Sequence, residues 1–73
     1  MHYKVEIKIK DAIEARDIKQ KDLAEMAEIR ESTISDIVRG TRTVINFEHL
    51  AKIATALNVN DIRELIDLVE VDD

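Results

Sequence analysis

The sequence predicts a mainly α fold: a bundle of five short helices, with the two chain ends as candidates for a short two-stranded sheet. Three observations lead there. Apolar residues recur at helical spacing through most of the chain. They are aliphatic, with one Phe, one Tyr and no Trp. There is no Pro to interrupt a helix, and a single Gly, Gly40, stands where one should end. The 73 residues are room for one domain, 1–73, with its core over about 9–66. A domain this small hides only about 60% of the surface its unfolded chain exposes. With no Cys, neither a disulfide nor a thiolate metal site can supplement the core.

Tyr3, Val5, Ile7 and Ile9 alternate with Lys4, Glu6, Lys8 and Lys10, a period of two that reads as a strand. From Ile9 the period changes. Ile9, Ala12 and Ile13 share a face of a first helix over about 9–17. A second helix, 20–27, turns Leu23, Ala24 and Ala27 inward; a third, 30–39, turns Ile34, Ile37 and Val38 inward and stops at Gly40. Residues 41–45 read as loop. Asn46 is placed to cap a fourth helix, about 47–57, with Phe47, Leu50, Ile53, Ala54 and Leu57 at helical spacing. Asn60 can cap a short fifth helix that buries Ile62, Leu65 and Ile66. Leu68, Val69 and Val71 suit a strand, expected to pair with the N-terminal one within a chain or between chains. An isolated pair of strands is weak, so the pair must lean on the helices. Asp72 and Asp73 read as a tail.

The formal net charge is −5. It is unevenly spread: basic and acidic residues balance over 1–44, and the excess of acid lies in 45–73. The middle of the chain can therefore still present a basic face. No apolar run approaches the roughly 20 residues of a membrane span, and the N-terminus alternates where a signal peptide would be unbroken. A cytoplasmic protein without a membrane partner is the expectation. His2 and His49 are isolated, and Asp61, Glu64 and Asp67 lack the glycine and alternating ligands of a calcium loop, so no metal is expected. No phosphate-cradling glycine loop, nucleophile elbow or acid–base pair appears. The chain is expected to be no enzyme and to need no cofactor.

Residues 20–39 meet the needs of a helix-turn-helix. Ala24 is small where the third helix would cross the second, Ile29 in the turn can plug the core, and Ile34 and Ile37 anchor the third helix from beneath. The pattern Gln20-Lys21-Asp22-Leu23-Ala24, Ala27-Glu28-Ile29, Ser32-Thr33-Ile34-Ser35-Asp36-Ile37 and Gly40 resembles the Cro-type (phage-repressor, xenobiotic-response-element) helix-turn-helix family. Leu50 to Val59 is similar to that family's fourth helix, and Asp61 to Ile66 to its fifth. Glu28 stands where the family usually has Gly, so a positive φ is expected there.

The resemblance implies double-stranded DNA binding with the third helix in the major groove. On the matching positions, Gln20 and its neighbour Lys21 would hold the DNA backbone. Arg30, Glu31, Ser32 and Thr33 match the base-reading positions, and Ser35 and Asp36 lie where further contacts fall. Arg39, Thr41 and Arg42 match the backbone-contacting loop. Glu31 and Asp36 would either repel phosphate or accept a hydrogen bond from cytosine N4. The implied function is sequence-specific operator binding as a repressor-type transcriptional regulator, as a homodimer on a palindromic operator. The rival is a protein-interaction module, an antitoxin or anti-repressor partner, with weak DNA affinity. A basic rim of Lys19, Lys21, Arg39 and Arg42 would favour DNA; a continuous acidic face would favour a protein partner.

Overall fold

The computed structural model describes residues 2–72. Asp73, the end of the expected tail, lies outside them. In chain order the elements are β1 (His2–Ile7), α1 (Ile9–Ala15), α2 (Gln20–Ala27), α3 (Glu31–Arg39), α4 (Phe47–Leu57), a single 3-10 turn (Ile62–Glu64) and β2 (Ile66–Val71). The core is aliphatic. Ile9, Leu23, Ile34, Ile53 and Leu65 are its fully buried side chains, with Ile13, Ile29, Ile37, Leu50 and Leu57 around them. Val38, Ala54 and Ile66 are half-buried against it. Among the described residues no helix is long and apolar enough to cross a membrane.

The terminal strands pair within one chain, antiparallel, with His2 opposite Val71 and Ile7 opposite Ile66. Lys8 extends the ladder by donating its N–H to the Leu65 carbonyl at 2.7 Å. Ile9, where the period changes from two to helical, opens α1 as a fully buried residue, as expected, and the helix ends at Ala15, two residues short of the expected 17.

Two expectations are corrected. The fold has four α-helices among the described residues, not five, because the chain from Ile66 onward is taken up by β2. Only one tight turn fits between α4 and that strand. Asp61 caps it in place of Asn60, its Oδ1 accepting from the Arg63 N–H at 3.0 Å. Leu65 is buried as expected, but Ile62 is exposed. The second correction is Phe47, which is 81% exposed. Helical spacing fixes a residue's angle about the axis but not how far along the axis the packed layer reaches, and Phe47 stands at the very start of α4.

The 3-10 turn also predicts an acid-dependent term in stability. The Arg63 guanidinium grips Asp61, at 2.7 Å between Nη2 and Oδ2 and 3.0 Å between Nε and Oδ1. Those hydrogen bonds, then the bond from the Arg63 backbone, lower the Asp61 carboxyl from its ordinary 3.8 to about 2. Because the folded value is the lower one, the contribution is complete above pH 4 and is lost as pH falls toward 2. Asp61→Asn is expected to lower the melting temperature slightly at pH 6 and to close the gap to wild type at pH 2. An unchanged gap across that range would contradict this.

Candidate nucleic-acid interface

The first helix of the helix-turn-helix, α2, is capped at both ends. At the start of α2, Asp22 Oδ2 accepts from the Lys19 N–H at 3.1 Å. At its end Glu28 takes the left-handed conformation, φ +56°, as the turn position led us to expect. That lets Ile29 N–H return to the Ala24 carbonyl at 3.0 Å. Ile29 is thereby turned inward and buried beside Ala24 and Ala27. Left-handed backbone also ends α1 at Asp17 and α4 at Asn58, φ +55° at each. Asn and Asp tolerate that region better than other residues with a Cβ, which is the sequence signal for these two stops.

Glu28→Gly removes the steric cost of the left-handed turn but gives the unfolded chain more freedom, two opposing effects of order 1 kcal/mol. Relief is expected to win slightly. Equilibrium urea unfolding checks this, and a clearly lower midpoint for the glycine variant would refute it.

α3 begins at Glu31, one residue later than expected, with Arg30 as its N-cap at φ −59° and ψ 141°. Ile34 and Ile37 hold the helix to the core. The opposite side carries Glu31 and Ser32, both exposed, while Thr33, Ser35 and Asp36 are half-buried. Gln20 is half-buried at the start of α2, and Lys21 and Arg30 are exposed. Lys21 and Glu31 border one shallow hollow over the turn, together with Glu28 and Ile29.

The C-terminal end of α3 is organised by Asp36. Its carboxylate receives the Arg39 guanidinium on one oxygen and Arg42 Nη2, at 3.2 Å, on the other. Its backbone carbonyl accepts from the Thr41 hydroxyl at 3.4 Å. One residue thus ties the loop after Gly40 back onto α3. Hydrogen bonds from Arg42 first, then Arg39, hold the Asp36 carboxyl below the usual carboxylate range. The expectations weighed Asp36 as a reader of bases or a repeller of phosphate. The geometry gives it a third role: it orients two arginines and cancels one of their charges.

The expected site residues therefore fall into two groups. Asp36, Arg39, Thr41 and Arg42 form one bonded cluster, whereas Gln20, Lys21, Arg30, Glu31, Ser32, Thr33 and Ser35 lie along α2 and the first turns of α3 without being bonded to it. Across the whole set four cations stand against two carboxylates, in a chain whose net charge is −5. The clamp by Asp36 was not read from the sequence, although its i, i+3 spacing to Arg39 was a usable signal.

A family model described as a Cro/C1-type HTH DNA-binding domain matches residues 8–70. No curated protein and no solved structure matches the chain.

Proposed function

Because the chain belongs to the Cro/C1-type HTH DNA-binding domain family, we propose that it is a cytoplasmic, repressor-type transcriptional regulator, binding and not catalytic, that reads its operator with α3 in the major groove. The observation that carries this reading is α3 itself. Ile34 and Ile37 fix it from beneath, and its first turn offers exposed polar side chains flanked by Lys21, Arg30, Arg39 and Arg42. In the proposed complex Gln20, Lys21, Arg39, Thr41 and Arg42 hold phosphates. Arg30, Glu31, Ser32, Thr33 and Ser35 face base edges, where hydrogen bonding carries sequence information that phosphate contacts lack. One such module buries roughly 600–1,000 Å², so tight binding calls for a homodimer on a two-fold operator, with half-sites about 34–36 Å apart.

The acidic net charge, and an Asp36 that occupies both arginines, favour a second reading, a protein-interaction module with weak DNA affinity. Selection of a random-sequence duplex pool at low salt, followed by salt titration of the retained sequences, separates the two. Retention of a common palindromic sequence, with affinity falling linearly in log salt, is the expected result. No retention of any duplex would overturn the DNA reading.

A further inference from the structure

The terminal ribbon leaves several large apolar side chains uncovered. Register places Tyr3, Val5 and Leu68 on one face, and they are 59%, 64% and 63% exposed. A two-stranded ribbon is marginal alone and needs further strands or packing against a helix; here Ile7 and Ile66 pack against the core, while Tyr3, Val5 and Leu68 stay bare. The two edges of this ribbon differ. Lys8 N–H bonds across to Leu65, so by alternation Glu6, Lys4 and His2 direct their backbone groups at β2. The N–H and C=O groups of Tyr3, Val5 and Ile7 then point outward along the free edge of β1. On the β2 edge the outward N–H of Leu68 is already taken by Asp67 Oδ1 at 2.8 Å. Among the described residues no side chain closes the β1 edge in that way. Instead it borders an open groove of about 720 Å³, lined also by Ile37, Val44, Ile45 and His49 and, toward the loop after α3, by the clamped Arg39 and Arg42.

We propose that the open β1 edge joins the β1 edge of a second copy of this chain, two-fold about Val5, in a four-stranded antiparallel sheet ordered β2-β1-β1-β2. This rests on the homodimer reading above and names its surface. Charge selects both the occupant and the register. With the axis through Val5, Lys4 of each copy stands opposite Glu6 of the other, Tyr3 stands opposite Ile7, and Val5 meets itself. Among the described residues neither Lys4 nor Glu6 has an ion pair within the chain. Centring on Lys4 or on Glu6 would set like charges against each other, and centring on Tyr3 would leave Glu6 unmatched. Centring on Ile7 would run the strand into α1, which begins at Ile9. The β2 edge cannot do the same, because β2 carries Asp67 and Glu70 and no cation. The joined sheet gathers Val5 and Leu68 of both copies into one apolar stripe, and every outward β1 backbone group between Tyr3 and Ile7 gains a partner.

Sedimentation equilibrium of the full chain without DNA tests this. Wild type is expected to dimerise. Lys4→Glu and Glu6→Lys should each raise the dimer dissociation constant tenfold or more, since each sets two like-charged pairs across the axis. The double variant, with the charges exchanged, should return to within about threefold of wild type. Val5→Pro removes only an N–H that the β1–β2 ladder does not use, so it should give a monomer whose helical circular dichroism is intact. A wild type that stays monomeric at millimolar concentration overturns both the edge and the homodimer reading. A dimer indifferent to all four variants but dissociated by Phe47→Asp overturns the edge alone and leaves the homodimer reading standing. A dimer with the expected variant behaviour that retains no duplex supports the edge and overturns only the DNA reading.

Discussion

Ile34→Ala is expected to cost about 2–5 kcal/mol of stability, the range for truncating a fully buried aliphatic side chain. Ile34 is 0% exposed and lies under the middle of α3. At a typical 0.05–0.15 kcal/mol per residue the whole domain has only about 4–11 kcal/mol, so this one truncation removes a large share. Urea unfolding followed by circular dichroism should show a midpoint lowered by roughly a fifth or more. Ile34→Val removes one methyl group and is expected to cost roughly 0.5–1.5 kcal/mol, leaving a folded protein. A small effect of Ile34→Ala would mean that α3 is not anchored through this residue, and the positioning argument for the interface would fall with it.

Asp36→Asn is expected to strengthen binding to every duplex and to steepen the salt dependence by about one unit, because it frees one cationic charge of the Arg39–Arg42 cluster for phosphate. Arg42→Ala should do the reverse, weakening all sequences alike and flattening the slope by about one unit. Neither should alter which bases are preferred. Ser32→Ala should alter preference at one position by roughly 1–3 kcal/mol, the worth of a good base contact. Glu31, exposed and outside the clamp, decides its own case by the same measurement. If its carboxylate accepts from cytosine, Glu31→Ala loses discrimination at one base pair; if it only repels phosphate, the gain is uniform. Equilibrium titration of duplex variants at several salt concentrations reads all four. A change of base preference in Asp36→Asn would show that Asp36 does more than hold arginines.

Much of this was legible in the residues because it is local. The left-handed turn at Glu28 was implied by the resemblance, in which Gly usually holds that position, and a positive φ is a property of the one residue. The Asn46 cap, whose Oδ1 accepts from Glu48 N–H at 2.8 Å and His49 N–H at 3.2 Å, is a local competition that its side chain wins. The helical faces formed by Ile9, Ala12 and Ile13, by Leu23, Ala24 and Ala27, and by Ile34 and Ile37 were set by spacing alone, and all of them are buried.

Three features depended on contacts between distant parts of the chain. Residues 62–66 carry enough apolar periodicity for a helix, yet β1, some sixty residues earlier, captures Ile66 into a strand. Ladder hydrogen bonds to a preformed edge outweigh the weak propensity of a segment barely one turn long. Phe47 has the spacing of a core residue but stands where no partner layer reaches it. Arg39 and Arg42 looked like free cations, and only the return of the loop past Gly40, itself left-handed at φ +66°, brings Arg42 onto the same carboxylate as Arg39. The sequence by itself determined the inward faces of the first three helices and where the chain turns between them, because those are decided within a few residues by spacing, capping and backbone sterics. The tertiary structure decided where the last helix gives way to a strand and how much positive charge the reading face presents, because both depend on which distant groups arrive as partners.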